Sequence, residues 1–424
     1  MRYVIIALGF ALLLGLFDYY VFYNWRRFAR YRRLPLRLAT RIYHVLVYLM
    51  PVTLPAYIYF SRWWEVEPKL FRAFILGVWA LYYVPKLPIA LVLLLKDAAR
   101  LLTWQFHWFR RLSRNEGALA EPTEARSDPP DLNRISRAEF IRRVGWSAAS
   151  IPFVITGYSV FRSLYDYRVT HVTVPIASMP ATLDGLTIAQ ISDLHAGSFF
   201  SVKPIEEAVE IVNSLRPDLI LFTGDFVNND AAELEIAAPA LGRLRADLGA
   251  FACLGNHDHY AEVGEVVQRV GNTPFKLLIN QHARLDVNGS SIFLVGTDNS
   301  GFNQNYADLP AATAGMPPPV EGADLRLLMT HDPSYWETVR IRRPDMDLTL
   351  SGHTHGGQLG FELGSLRWSL ARITYPRWAG LYREPREGGN PPHFLYVNRG
   401  LGTVGPPLRI GIRPEVTLLT LRRA

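Results

Sequence analysis

The chain has 424 residues, 49% of them hydrophobic and 20% charged, with a formal net charge of +7 at pH 7. That length leaves room for more than one domain, and the single cysteine, Cys253, excludes an internal disulfide scaffold. The arginines cluster between apolar runs near the N-terminus and form no stripe interleaved with aromatics on a polar domain, which argues for a bilayer and against nucleic acid as the partner.

Four apolar runs come first, at 3–23, 42–61, 71–95 and 144–161. About 20 apolar residues cross a bilayer, so each is expected to span it. Asp18 interrupts the first run, and Pro85, Lys86 and Pro88 make the third a kinked or partly interfacial candidate. Between the first two runs lie Arg26, Arg27, Arg30, Arg32, Arg33, Arg37 and Arg41, with no acid from 24 to 42. The positive-inside rule places that loop in the cytoplasm, and four spans then carry everything after 161 to the other side. If 144–161 does not cross, the rest of the chain faces the cytoplasm. Residues 115–133, rich in Pro, Glu and Asp, read as a linker. The expected division is a membrane region over 1–165 and a second domain over 166–424.

From Thr173 the pattern changes to short strands alternating with helices. Strands are predicted at Leu186–Ile191, Asp218–Thr223, Gly249–Leu254, Ser291–Gly296, Leu325–Met329 and Leu348–Ser351, with late strands at 393–398 and 415–422. Helices are predicted at Pro204–Leu215, 231–246 and Glu262–Val270. Where five of these strands stop, a polar island begins: Asp193-Leu194-His195, Gly224-Asp225, Gly255-Asn256-His257-Asp258, His331, and Gly352-His353-Thr354-His355. In layered α/β domains ligands collect at strand ends, so residues about 160 apart can share one site. Carboxylates, imidazoles and one amide form a mixed nitrogen–oxygen ligand set, suited to Mn, Fe, Zn, Ni or Co rather than to a thiolate zinc site. The glycines ahead of Asp225, Asn256 and His353 are expected to let the backbone turn tightly. Each motif alone is common by chance; the ordered set of five is not.

That ordered set resembles the signature of the calcineurin-like metallophosphoesterases, Asp-x-His, Gly-Asp, Gly-Asn-His-Asp/Glu, His, Gly-His-x-His, over roughly 186–424. Gly352–Gln358 and Asn398–Thr403 resemble the membrane-anchored bacterial subgroup of the YkuE and YaeI type. The resemblance implies a four-layer α-β-β-α sandwich after a helical transmembrane region. It implies one ion on Asp193, His195, Asp225 and His355, and a second on Asp225, Asn256, His331 and His353. Water between the ions would attack phosphorus in line. His257 would then stabilise the transition state or protonate the leaving oxygen, with Asp258 orienting it. It further implies a protein of the bacterial inner membrane, which the four expected spans make multi-pass with its catalytic domain on the extracytoplasmic side.

Three residues outside the signature are candidates for substrate contact: His259, Asp298 (beside Asn299) and Arg399. Each could equally be a loop or surface residue. Arg372, Tyr375 and Trp378 lie in a loop that could face lipid headgroups or form a packed lid. The partners implied are the lipid bilayer and a phosphate ester, lipid-linked esters included. The expected activity is that of a phosphodiesterase. The alternatives are a lipid pyrophosphatase of the UDP-2,3-diacylglucosamine hydrolase type, which needs a cytoplasmic active site, and a non-catalytic membrane interaction protein.

Overall fold

A computed structural model describes residues 2–31, 37–60, 69–112, 144–145, 147–301, 304–320, 322–364, 366–385 and 391–424. The linker expected at 115–133, with Arg32 and Arg33 of the basic loop, lies outside the described residues. The chain divides into two units, residues 1–68 with 74–157 and residues 158–424 with 69–73.

The first unit is helical. Helices α1 (Arg2–Tyr31), α2 (Arg37–Phe60), α3 (Lys69–Tyr83) and α4 (Lys86–Leu112) carry the first three apolar runs. The third run is split by a turn at Val84-Pro85, because proline has no N–H to donate and biases the residue before it away from helix. Pro88 is accommodated in the first turn of α4, where no N–H partner is lost. Among the described residues, the stretch Phe74–Arg110 is long and apolar enough to cross a membrane. The fourth run is helical at 144–145 and 147–148, turns at 149–150, and resumes as α5 (Ile151–Arg162). Its longest unbroken helix is therefore shorter than the uninterrupted span expected. Asp18 and Lys86 meet across the unit: the Lys86 ammonium donates to Asp18 Oδ1 at 2.6 Å and the Tyr82 hydroxyl to Asp18 Oδ2 at 2.6 Å. Both charges are buried, a state that apolar surroundings tolerate only when the charges are paired.

The second unit is built on two six-stranded sheets. The first has the order β1 (Arg168–Ile176), β16 (Glu415–Arg423), β2 (Thr187–Ile191), β3 (Leu219–Thr223), β4 (Ala250–Cys253), β5 (Phe275–Leu277). The second runs β14 (Gly380–Glu384), β15 (His393–Val397), β11 (Leu348–Ser351), β10 (Asp324–Met329), β7 (Ser290–Gly296), β6 (Gln281–Val287). In the first sheet β2 to β5 are parallel, and in the second β15, β11, β10 and β7 are parallel. Alternation along β3 sends Leu219 and Leu221 to one face and Ile220 and Phe222 to the other. The first face meets Leu294, Leu325, Leu327 and Leu350 of the second sheet in a shared core. The opposite face packs on helices α6 (Lys203–Ser214), α7 (Leu234–Leu241) and, beyond the short α8 (Asn256–Tyr260), α9 (Val263–Val270). Beyond the second sheet, Val295 and Leu328 pack on α10 (Leu309–Ala312) and α11 (Trp336–Arg342). The expected four-layer α-β-β-α sandwich is the observed architecture.

Two local expectations change. The helix expected at 231–246 shrinks to a short 3-10 turn, Ala231–Glu233, followed by α7. The Asp230 carboxylate accepts from Ala232 N, and buried Glu233 accepts from Asn228 N at 2.6 Å and Gly197 N at 2.9 Å. Those ties fix the entry to the helix, which ends at Leu241 with Gly242 following. Two hairpins were not expected at all, β8 (Ser300–Gly301) with β9 (Gln304–Asn305) and β12 (Gly360–Leu363) with β13 (Leu366–Ser369).

Candidate dinuclear metal centre

Five parallel strands deliver the ligand set. Strands β2, β3 and β4 of the first sheet end just before Asp193, Asp225 and Asn256, and β10 and β11 of the second end just before His331 and His353. The two sheets therefore contribute to one site at the carboxyl ends of their strands, as the sequence pattern predicts. Backbone bonds stitch the ends together: Asp193 N donates to Gly224 O at 2.9 Å, His195 N to Asp225 O at 3.1 Å, and Gly352 N to His331 O at 3.0 Å. Asp193, His195, Asp225, His353 and His355 all have φ between 44° and 70°. Non-glycine residues rarely enter that left-handed region, at a cost of about 1–3 kcal/mol each. The expected role of the glycines holds for Gly224, whose φ is +91°. Gly352 serves differently, since a Cβ there would collide with Ser192 and Asp193.

Asp225 stands between two groups of ligand atoms. Its Oδ2 lies 3.0 Å from His331 Nε2 and 3.4 Å from His195 Nε2. On one side His195 Nε2 faces His355 Nε2 at 3.0 Å, and Asp193 Oδ1 lies 3.4 Å from His355 Nε2. On the other, His331 Nε2 faces His353 Nδ1 at 3.1 Å. Asp193, His195 and His355 form one group of convergent donors, and Asp225, His331 and His353 another. The Asn256 side-chain oxygen is buried without a hydrogen-bond partner. A buried amide oxygen without a donor is costly, and imidazole nitrogens and carboxylate oxygens converging on the same points form a donor set that fits two divalent cations.

The outer nitrogens explain why the inner ones are available. His331 Nδ1 donates to the Thr223 carbonyl at 2.7 Å, which turns Nε2 toward Asp225, where a cation would replace the proton that Nε2 otherwise holds. His353 Nε2 meets the Tyr375 hydroxyl at 2.8 Å, leaving Nδ1 toward His331. Burial alone would depress the His331 imidazolium, but Asp225 and Asp193 beside it hold it up at about 10. Burial pushes the Asp193 carboxyl up. Burial acts the same way on Asp225, but His331 and His195 outweigh it and hold this carboxyl well below its usual range. The site is thus a concentrated pair of carboxylates balanced by imidazoles, a field that cations would share.

His257 Nδ1 sits 2.6 Å from the Asn228 carbonyl, and its backbone N–H donates to Asp225 Oδ1 at 2.8 Å. Burial pulls its imidazolium down to about 4. Asp258 does not orient His257, contrary to expectation. Its carboxylate accepts instead from the backbone N–H groups of Gly255 (2.9 Å), Asp225 (3.0 Å) and Phe226 (2.8 Å). Asn228 provides the contact expected of Asp258, through a backbone carbonyl that no side-chain motif can reveal.

The other candidates separate. His259 Nε2 pairs with Asp298 Oδ1 at 2.7 Å, and the Tyr306 ring stacks on His259. Arg399 is buried and its charge is matched by Glu415, at 2.9 Å, and Glu362. Trp378 is buried, and its carbonyl accepts from Thr354 Oγ1 at 2.7 Å, so this part of the loop is packed against the site, while Arg372 is exposed. Arg409 escaped the sequence reading. Fully buried, its guanidinium donates to the carbonyls of Arg399 (2.8 Å) and Gly402 (2.6 Å) and lies 3.3 Å from His355 Nδ1. Only the fold brings this isolated arginine under the glycine-rich 398–403 turn.

Residues 186–357 match the family described as "Calcineurin-like phosphoesterase", and residues 1–164 match "Probable Calcineurin-like phosphoesterase, transmembrane domain". A Danio rerio relative, "Transmembrane protein with metallophosphoesterase domain", is 30% identical over 65% of this chain and 62% of its own length. The chain thus spans under two thirds of that relative. "Uncharacterized metallophosphoesterase YkuE" of Bacillus subtilis is 30% identical over 69% of this chain and 99% of its own length. "Phosphodiesterase YaeI" of Escherichia coli is 33% identical over 54% of this chain and 80% of its own length.

Proposed function

This chain belongs to the calcineurin-like phosphoesterase family, and from that premise we propose that it is a membrane-anchored, dinuclear metal-dependent phosphodiesterase. The observation that carries the reading is Asp225, whose one carboxylate oxygen reaches the imidazoles of both donor groups. Asp193, His195, Asp225 and His355 would hold one divalent ion, and Asp225, Asn256, His331 and His353 the other. When bound, such ions supply Lewis-acid charge for phosphate oxygens and lower the pKa of water. The set of imidazoles, carboxylates and one amide suits Mn, Fe, Zn, Ni or Co.

The chain's own residues do the rest. Asp258 holds the backbone turn that carries Asp225, by accepting three N–H groups around it. The Asn228 carbonyl keeps a proton on His257 Nδ1 and leaves Nε2 for the substrate side. In the free site His257 is neutral at pH 7. Phosphate charge arriving beside it favours protonation, after which it can hydrogen-bond a phosphate oxygen or hand a proton to the leaving oxygen. His259 with Asp298 stands as a rim contact for the far side of the ester. Arg399, neutralised by two glutamates, positions the loop at Gly400 rather than taking the phosphate itself. YaeI, named a phosphodiesterase, supports the diester reading.

The anchor is the N-terminal region. The arginines of 24–42 favour a cytoplasmic first loop. With the fourth apolar run, 144–161, crossing, the catalytic domain lies on the extracytoplasmic side. A cysteine replacing exposed Ile341 tests this: a membrane-impermeant maleimide should label it in intact spheroplasts, and protection there reverses the orientation.

The activity test uses purified full-length protein, stripped of metal and reloaded separately with each of the five ions. It is assayed on bis-p-nitrophenyl phosphate and p-nitrophenyl phosphate beside Asn256→Ala and His257→Ala. Metal-dependent diester cleavage lost in both variants is expected. Two bound ions with no turnover of either compound would favour the non-catalytic reading.

A further inference from the structure

The hairpin β12–β13 has its polarity reversed. Cross-strand pairs Phe361 with Trp368 and Leu363 with Leu366 form one face, and Glu362 with Arg367 the other. In a domain bathed by water the apolar face would turn inward. Here Glu362 and Arg367 are bound to the domain, Glu362 by Arg168 and Arg399, Arg367 by the Ala379 carbonyl at 3.2 Å and the Trp378 ring. The apolar face is left outside: Leu363 is 70% and Leu366 62% exposed, the stacked Phe361 and Trp368 are also exposed, and Ile373 in the following turn is 77% exposed.

The base of this hairpin is tied to the place where the chain leaves its last N-terminal helix. Arg168, which pairs with Glu362, lies six residues after α5. Ser159 and Ser163 hold Arg409 through its backbone, and the adjacent Ile410 carbonyl accepts from Gly360 N at 2.9 Å. The other end of the hairpin touches the metal centre: Ser369 donates to the Gly356 carbonyl beside His355, and Tyr375, six residues on, reaches His353. An apolar ribbon flanked by exposed Arg168 and Arg372, linked through Arg409 and Ile410 to Ser159 and Ser163 within the same unit, matches the chemistry of the headgroup–acyl boundary.

We propose that the exposed face of the hairpin, Phe361, Leu363, Leu366 and Trp368, rests in the bilayer interface and turns the metal centre toward phosphate esters carried on lipids. The substrate half rests on the phosphodiesterase reading; the membrane half does not.

Because Cys253 is the only cysteine and is buried, Leu363→Cys accepts an environment-sensitive fluorophore selectively. The full chain so labelled is reconstituted in phosphatidylcholine–phosphatidylglycerol vesicles, with Ile236→Cys on α7 as the aqueous reference. The label at 363 should blue-shift and be quenched by bromine-substituted acyl chains, and the label at 236 should do neither. A label at 363 that behaves like the one at 236, or that is shielded in proportion to protein density rather than by lipid, overturns the proposal; the second result indicates another copy of the chain. In parallel, Leu363→Glu with Leu366→Glu is assayed on a vesicle-borne p-nitrophenyl alkyl phosphodiester and on soluble bis-p-nitrophenyl phosphate. The apparent KM for the vesicle-borne ester should rise about tenfold or more, with the soluble ester unchanged. Equal losses on both overturn the substrate half. If the unsubstituted protein cleaves neither ester, the phosphodiesterase reading fails while the fluorophore still decides the membrane contact.

Discussion

The two regions of this molecule place charge in opposite ways. In the catalytic domain seven charged or polar candidate ligands converge at five strand ends, five of them buried and Asn256 and His353 half-buried. In the described N-terminal helices the buried charges are Asp18 and Lys86, paired at 2.6 Å among apolar and aromatic side chains. The first arrangement turns imidazole nitrogens toward one another, and its Asn256 oxygen has no partner, features that call for added cations. The second is complete as it stands, since Tyr82 and Lys86 both donate to Asp18. A buried polar cluster that leaves donors unmatched points to a ligand; one that closes on itself points to packing.

That contrast can be broken at several places. His257→Ala should lower kcat by about 10²–10⁴-fold, the usual span for a lost proton-transfer group, with metal content unchanged in elemental analysis. Asp18→Leu leaves Lys86 charged without its partner, and should destabilise the N-terminal helices by about 3–5 kcal/mol. Thermal unfolding in detergent would register it, while the double change with Lys86→Met should recover most of the loss.

The pH response sharpens the same comparison. Folded His257 binds its proton only near pH 4, against about 6.5 for an ordinary imidazole. Between those values the unfolded chain carries more protons, so acidification destabilises the fold. From pH 7 to 4 the metal-free protein should lose up to about 3 kcal/mol through this residue. Comparing its melting curves with those of His257→Gln isolates that part, because His353 and His355, also depressed by burial, respond alike in both. The smallest effect is expected at Tyr375, which orients His353 from outside. Tyr375→Phe should weaken metal affinity by about tenfold, measured by competition with a chelator, with the fold intact.

The catalytic half was legible because its chemistry obeys strand ends. Asp193, Asp225, Asn256, His331 and His353 each follow a short apolar run, so period and punctuation suffice to place them in one site. The contributions of Asn228 and Arg409 were not legible. One acts through a backbone carbonyl, and the other donates to the carbonyls of the 398–403 turn from a loop whose path no local pattern reveals. The left-handed backbone at five site residues is likewise invisible in a sequence where none of them is glycine. The hairpin at 360–369 was missed because alternating apolar residues on a short ribbon suggest a buried face, and this one is exposed. In the N-terminal half, apolar runs marked the helices and Pro85 marked the break in the third, but the turn at 149–150 was not expected.

The central claim is that Asp225 joins two cation sites into one centre. Its most direct test is the number of ions retained per chain after exhaustive dialysis, measured by elemental analysis for the natural chain and for Asp225→Ala. The account predicts two ions in the natural chain, and in the variant at most one, with diesterase activity lost. Two ions retained by Asp225→Ala, or only one ion in a fully active natural chain, would contradict it.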